Sequence, residues 1–142
     1  MDIYTIGYGN RKPDDFLAIL KDKEIKTVID VRREVTKARI GSYLPHYLAL
    51  MLHNNDIDYQ HQHILSNKFV AYQLDESLKL YEDWLLGTNE ADDILEDVKF
   101  NIEHYYDSKV AIMCAELKPD KCHRKIIADE LSRRLDCKVV HL

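Results

Sequence analysis

The sequence predicts an α/β fold: one domain spanning residues 1–142, in which a mainly parallel sheet of about five strands is flanked by helices. Two observations predict it. Short apolar stretches alternate along the chain with longer ones whose apolar residues recur every three to four positions. No internal repeat and no Gly/Ser/Pro-rich linker divides the chain. Because strands that alternate with helices are joined by right-handed crossovers, we expect a parallel sheet covered on both faces.

The first half of the chain predicts three strands and two helices. Strands are expected at residues 3–7, 27–31 and 57–60, each a short and mostly apolar stretch. Pro13 and Pro45 each begin a helix, because the N–H that proline lacks is not needed in a first helical turn. Residues 33–43, between the strand at 27–31 and the helix that begins at Pro45, are expected to be irregular.

The second half predicts two amphipathic helices followed by a strand, a helix and a strand. These elements are expected over residues 70–85, 94–105, 109–114, 121–135 and 138–141. Gly87 suits the end of the first of these helices. Pro119-Asp120 offers a turn and an N-cap before the last helix.

Composition and charge exclude several classes of protein. Lysine and arginine total 20 against 25 aspartate and glutamate, a formal charge of −5 that does not favour a nucleic-acid partner. No stretch approaches the roughly 18 apolar residues of a membrane span, and no secretory signal precedes the first strand, so no membrane partner is expected. Three cysteines, in a chain able to build its own core, predict reduced thiols and a cytoplasmic location.

The chemically richest segment joins the strand at 109–114 to the helix at 121–135. It reads Met113-Cys114-Ala115-Glu116 and, five residues later, Cys122-His123-Arg124. Two thiols, a carboxylate, an imidazole and a guanidinium thus meet where a parallel sheet usually places its ligands, since a helix N-terminus presents unpaired N–H groups. The segment predicts an active site or an anion-binding site.

Two further loops are expected at the same edge of the sheet. In the first, Gly7-Tyr8-Gly9-Asn10, the glycines allow a ligand to approach the backbone, and Asn10 is placed to help cap the next helix. In the second, Asp30-Val31-Arg32-Arg33, Arg32 offers a planar cation to a phosphate, sulfate or carboxylate. A small anionic ligand is therefore predicted, bound by Gly7, Tyr8, Gly9, Asn10, Arg32 and Arg124.

The same motifs resemble the domain-of-unknown-function family numbered 488, nearly from end to end. The matching pieces are Thr5-Ile6-Gly7-Tyr8-Gly9-Asn10, Asp30-Val31-Arg32, Tyr59 with a following His, Met113-Cys114-Ala115-Glu116, Cys122-His123-Arg124, Ile127-Ala128 and Leu131. The chain departs from the family pattern at 34–39, where a Pro and a Ser-Arg pair are common, and at Leu65-Ser66-Asn67, where Leu-Gly-Gly is common. The resemblance implies an α/β fold and a shared pocket, but no established activity.

Four residues are predicted to be catalytic: Cys114, Cys122, Glu116 and His123. Cys122, at the second position of the predicted helix, is the thiol whose pKa should be lowered, and Cys114 lies at a strand end that faces the loops. Glu116 or His123 would transfer protons. The alternative for either thiol is a small apolar side chain of the core, and for Arg32 and Arg124 an ion pair.

No metal and no cofactor are predicted. A zinc site built from Cys114, Cys122 and a histidine is the alternative, but the chain has no Cys-x-x-Cys pair, and adjacent Cys122 and His123 should diverge on a helix. His61 and His63 would share one face of an extended segment, as in some metal sites, but hydrogen-bonded or solvated histidines are the expected state.

Three functions of different classes remain open. The leading one is a small enzyme whose cysteine thiolate attacks a nucleotide, phosphate or sulfur compound. The second is a non-catalytic nucleotide or nucleic-acid binding module that uses the same arginines and the basic loop 32–39. The third is a structural or interaction protein whose motif stabilises the junction between 109–114 and 121–135. The enzyme is favoured because a core would need no thiol, acid, base and cation at one helix N-terminus.

Overall fold

The predicted parallel α/β fold is confirmed by a computed structural model, which describes residues 1–33, 40–106 and 109–142. Within these ranges, five strands form one sheet: β1 (Asp2–Gly7), β2 (Thr27–Asp30), β3 (Asp58–His61), β4 (Lys109–Cys114) and β5 (Lys138–His141). Their order is β3-β2-β4-β1-β5, and each neighbouring pair is parallel. The carboxyl ends of β2, β4 and β1 therefore lie side by side.

In the part of the chain that the structure describes, five α-helices connect and cover the strands: α1 (Pro13–Asp22), α2 (Pro45–His53), α3 (Leu74–Gly87), α4 (Asn89–His104) and α5 (Arg124–Leu135). Pro13 and Pro45 each occupy the first turn of their helix, as predicted. Gly87 ends α3, and Thr88 then caps α4 by accepting a hydrogen bond from the Ala91 N–H. None of the helices in the described ranges is long and apolar enough to span a bilayer.

The sheet separates two hydrophobic cores, because successive residues of a strand point to opposite faces. In β4, Ala111 and Met113 pack into the core beneath α1 and α2. Val110, Ile112 and Cys114 pack into the other core, which contains the buried residues of α3, α4 and α5. This alternation places Cys114 on the α5 face of the sheet.

Three predicted helix starts are wrong. Helix α4 begins at Asn89 rather than at 94, directly after the Thr88 cap. Helix α5 begins at Arg124 rather than at 121, because Pro119–Lys121 forms one turn of 3₁₀ helix, closed by the Cys122 N–H on the Pro119 carbonyl. Cys122 is then extended, with φ −139° and ψ 145°, and His123 rather than Asp120 is the N-cap residue.

Helix α3 begins at Leu74 rather than at 70. The Asn67 side chain accepts a hydrogen bond from the Phe69 N–H at 2.8 Å and holds the preceding residues in a turn. A side chain that bonds to nearby backbone in this way competes with helix formation.

Helix α5 is joined to α4 by a cluster of charged side chains. Glu130 accepts hydrogen bonds from Arg133 and Arg134. Arg134 also forms ion pairs with Asp92 at 2.9 Å and Glu96 at 2.8 Å on α4. Because Glu130 is buried and Arg134 nearly so, this cluster should contribute more than exposed surface pairs do.

We expect Glu130→Gln to lower the free energy of unfolding at pH 7 by roughly 1 to 2 kcal/mol, because charged hydrogen bonds are lost. Hydrogen bonds from Arg133 lower the pKa of Glu130 in the folded chain. Its contribution is therefore complete above the ordinary pKa of 4.5 and is lost as the pH falls below it. Urea unfolding at several pH values measures the difference in the free energy of unfolding between wild type and Glu130→Gln. We expect this difference to shrink in acid, and a difference that does not change with pH would contradict the prediction. Asp129→Asn, which removes an exposed pair with Lys125, is the control and should cost about 0.5 kcal/mol or less.

Candidate functional site

The sheet brings together the three loops that the sequence singles out. Gly7, the last residue of β1, is paired with Cys114, and Asp30, the last residue of β2, is paired with Met113. The Tyr8 N–H donates to the Cys114 carbonyl at 3.2 Å, so the first loop is held directly against the end of β4.

Two thiols and an imidazole form a buried cluster at this edge, called here the Cys–His cluster: Cys114, Cys122 and His123. The Nδ1 atom of His123 lies 3.7 Å from Sγ of Cys122 and 4.0 Å from Sγ of Cys114. All three residues are between 5% and 8% exposed. The predicted catalytic residues Cys114, Cys122 and His123 thus lie within contact distance of one another.

The backbone of β2 decides which nitrogen of His123 faces the sulfurs. Nε2 lies 2.8 Å from the carbonyl oxygen of Val31. Because a carbonyl only accepts hydrogen bonds, Nε2 carries a hydrogen, and Nδ1 is left to interact with Cys114 and Cys122.

Tyr81 of α3 fixes the plane of the imidazole. Its ring meets His123 edge to face, with centroids 5.0 Å apart. Its hydroxyl donates to the Leu65 carbonyl at 2.6 Å, and burial raises its pKa. The sequence placed Tyr81 only in the apolar stripe of a helix. Nothing in that stripe indicates which of its members contacts His123.

The two thiols are electrostatically unequal. A hydrogen bond from Cys114 lowers the pKa of Cys122, and hydrogen bonds from His123 and from the Arg124 backbone N–H lower it further against the cost of burial. The same Cys114–Cys122 hydrogen bond, together with burial, raises the pKa of Cys114. The surroundings therefore favour ionisation of Cys122 over ionisation of Cys114.

A cavity of about 660 Å³ opens over the Cys–His cluster. Its wall combines polar with apolar side chains. The polar residues are Arg32, Arg33, Asn67, Ser77, Glu116 and Lys121, and the larger apolar ones are Val70, Tyr72, Leu74 and Leu78. The cavity is of the size that small-molecule sites have.

Arg32 lies in the cavity wall, but most of its hydrogen bonds go to Asp30. Its Nε and Nη2 donate to the Asp30 carboxylate at 2.8 to 3.1 Å, and Tyr59 donates to the same carboxylate at 2.6 Å. His61 Nε2 lies 2.9 Å from the Arg32 carbonyl, and so donates to it. Nη1 of Arg32 is buried and has no hydrogen-bond partner in the described ranges. The ion pair that was the alternative for Arg32 is thus present.

Arg124 supports the loop rather than the cavity wall. It is completely buried, and its two terminal nitrogens donate to the carbonyls of Glu116 at 2.5 Å and Leu117 at 3.1 Å. It lines neither the main cavity nor the smaller one beside it. The predicted binding of an anion by Arg124 has no geometric basis here, because its guanidinium is used by backbone carbonyls.

The two glycines of the first loop allow the β4–α5 loop to pack closely against them. A Cβ at Gly7 would lie 1.8 Å from the carbonyl oxygen of Glu116. Gly9 has φ +46°, and a Cβ there would lie 2.2 Å from Cγ of Leu117. The close approach that the sequence suggested is therefore made by the β4–α5 loop.

Tyr8 and Asn10 occupy different places in the same loop. Tyr8 lines the main cavity, stacks on Tyr43 with centroids 4.3 Å apart, and lies 5.2 Å from the Arg32 guanidinium. Asn10 and Gly9 line a neighbouring cavity of about 430 Å³. Glu116 is exposed and borders both cavities.

A family model described as "Domain of unknown function DUF488" matches residues 12–131.

The chain belongs to the DUF488 family.

The matched range contains every residue of the Cys–His cluster, whereas the Gly7–Asn10 loop precedes it. No curated protein and no solved structure matches the chain.

Two parts of this DUF488 site were not predicted. Asn67 and Ser77, both buried, join the start of α3 to the preceding turn through a hydrogen bond of 2.8 Å from Nδ2 to Oγ. Val70 and Leu74 line the cavity while remaining largely exposed. Their apolar spacing predicted a helix. A single sequence does not distinguish apolar residues that pack on a helix face from apolar residues that line a cavity. Residues 34–39 of the predicted basic loop lie outside the described residues.

The sequence predicts that Cys122 and His123 diverge on a helix and therefore predicts no metal site, and the expected divergence is wrong. Cys122 is extended rather than helical, so it and His123 do not diverge. The two sulfurs and a ring nitrogen of the Cys–His cluster all lie within 4.8 Å of one another. His61 and His63, whose ring centroids are 6.0 Å apart, are not part of this group.

Proposed function

We propose that this DUF488 protein is a small enzyme whose Cys122 thiolate attacks an anionic nucleotide, phosphate or sulfur compound. One observation carries the proposal: a cavity opens over two thiols whose sulfurs lie 3.7 and 4.0 Å from the same imidazole nitrogen. A nucleophile beside a base, with that base oriented by a third group, is the usual arrangement for covalent catalysis. Here Val31 is the orienting group.

The proton transfers follow from the hydrogen bonds. His123 Nδ1 takes the proton of Cys122, and Cys114 donates a hydrogen bond to the resulting thiolate. Attack forms a bond from Cys122 sulfur to phosphorus or sulfur of the substrate and breaks the bond to the leaving group. The leaving group takes the proton from His123, and water or a second thiol then releases the product.

The charges of the cavity wall support an anionic substrate. Arg33 and Lys121 are exposed there, and Arg32 lies behind them with its charge balanced by Asp30. Among the described residues of the wall, Glu116 is the acidic one, so positive charge is in excess among them. The remaining terminal nitrogen of Arg32, Nη1, is buried and has no hydrogen-bond partner in the described ranges.

A structural role for the motif has support of its own. The Cys–His cluster is buried, and its polar atoms are paired with one another and with Val31. In that alternative the cluster, like Arg124, would only stabilise the junction between β4 and α5. The test must therefore measure reactivity rather than stability.

One experiment separates the enzymatic role of the Cys–His cluster from the structural one. Each cysteine of the folded, metal-free protein is alkylated with iodoacetamide at pH 7, and the reaction is followed by mass spectrometry. We expect Cys122 to react at least about ten times faster than Cys137, because burial raises the pKa of Cys137 and no imidazole is recorded beside it among the described residues. Inorganic phosphate should slow the reaction of Cys122 by occupying the cavity. If Cys122 reacts only when urea unfolds the chain, the enzymatic proposal fails and the structural role stands. Cys137→Ser is the control and should leave the rate at Cys122 unchanged.

A further inference from the structure

We infer that Cys114, Cys122 and His123 also bind one soft divalent cation, such as Zn²⁺, with a fourth coordination position open to the cavity. The inference goes beyond the proposed function, since it needs no substrate. It concerns a second state of the same atoms: the metal-free cluster reacts, and the metal-bound cluster is shielded.

The distances between the three ligand atoms fit such an ion. In a tetrahedral zinc site with bonds of about 2.3 Å to sulfur and 2.0 Å to nitrogen, ligand atoms lie roughly 3.5 to 3.8 Å apart. The two sulfur–nitrogen distances here are 3.7 and 4.0 Å, and no pair in the cluster exceeds 4.8 Å. The two sulfur–nitrogen separations therefore need to shorten by only about 0.2 to 0.5 Å for an ion to be bound.

The imidazole is oriented as a metal ligand requires. A ligating histidine usually donates its other ring N–H to a carbonyl or carboxylate, which fixes the ring and the tautomer. His123 makes this contact through Nε2 to the Val31 carbonyl at 2.8 Å. Its Nδ1 is therefore directed at both sulfurs before any metal arrives.

The charges also balance. Two thiolates in contact would repel each other in a buried position, and a divalent cation neutralises both. Backbone hydrogen bonds of Ala115 and Arg124 lower the pKa values of Cys114 and Cys122 respectively, which favours the thiolate forms that a metal binds.

The chemistry of the ligands selects the metal. Thiolate and imidazole favour Zn²⁺ and similar ions over Mg²⁺ and Ca²⁺, which prefer oxygen. Structural zinc sites close the coordination sphere with four protein ligands, whereas sites with three leave a position for water or a small molecule. Because Cys114, Cys122 and His123 all line the cavity, the open position faces solvent.

Titration of the reduced, metal-free protein with Co²⁺, which reports thiolate ligation by its absorption, tests the inference. We expect one equivalent to give a thiolate-to-cobalt charge-transfer band and the intense visible bands of a tetrahedral site, and Zn²⁺ to abolish both. Cys114→Ser, Cys122→Ser and His123→Gln should each weaken Zn²⁺ binding at least about tenfold. Cys137→Ser should have no effect. A titration without the charge-transfer band, or a band retained in all three cluster variants, would overturn the inference.

A second measurement needs no variant and separates the two proposals. Zn²⁺ at one equivalent should protect Cys122 of the wild-type chain from iodoacetamide at least tenfold and leave Cys137 unprotected. If Cys122 reacts rapidly and Zn²⁺ gives no protection, the metal site is refuted and the proposed function stands. If the metal-free protein does not react while Co²⁺ produces its band, the enzymatic proposal is refuted and the metal site stands.

Discussion

Gly7→Ala is expected to destabilise the fold by about 3 kcal/mol or more. The added Cβ would lie 1.8 Å from the carbonyl oxygen of Glu116, and backbone on both sides leaves no flexible side chain to yield. Either β1 or the β4–α5 loop must shift. Gly7 is paired with Cys114 in the sheet, so the shift would also separate Cys114 from its partners.

Urea unfolding monitored by circular dichroism measures this effect. Gly87→Ala is the matched control, because a Cβ at Gly87 meets nothing within 4 Å, and a change of about 0.5 kcal/mol or less is expected. Equal stabilities of the two variants would show that the loop approaches β1 less closely than described here.

His123→Gln is expected to lower the alkylation rate of Cys122 at pH 7 by about a hundredfold. The variant keeps a polar group able to reach the Val31 carbonyl but loses the imidazole nitrogen 3.7 Å from the Cys122 sulfur. The hydrogen bonds from Cys114 and from the Arg124 backbone N–H remain, but without the imidazole to take its proton and hydrogen-bond to its sulfur, Cys122 should ionise less.

The rate must be compared in variants whose folding is confirmed by circular dichroism. His63→Gln, which changes an exposed histidine outside the cluster, should leave the rate of Cys122 unaltered. A purely structural His123 would affect stability and leave the rate of the folded protein within about twofold of wild type. That result would remove the imidazole from the proposed mechanism.

The order of elements was predictable because each element depends on local chemistry. Pro13 and Pro45 fix helix starts, and the alternation of Val110, Ala111 and Ile112 fits a buried strand with two covered faces. The start of α5 was not predictable. Extended Cys122 satisfies contacts with the sheet and with His123 that no local pattern records.

The composition of the site was predictable, but the use of its charged groups was not. The residue types alone identify Arg32 and Arg124 as cations that can bind oxygen atoms of a ligand. In the structure, Arg32 instead binds the Asp30 carboxylate, and Arg124 binds backbone carbonyls. The need for glycine at Gly7 was also foreseeable, whereas its neighbour, Glu116, became evident only from the packing of two distant loops. Long-range partners of this kind leave no trace in a single sequence.

The hydrogen bond from His123 to Val31 has a consequence for the order of folding. It spans 92 positions of the chain and forms only after β2 has paired with β4 at the centre of the sheet. Contacts between residues so distant in sequence form late, because a long loop must close first. A chain with its helices formed but its central strands unpaired would have no oriented imidazole beside Cys122. The enhanced reactivity of that thiol would then emerge only on completion of the sheet, which makes it a kinetic probe of the last folding step.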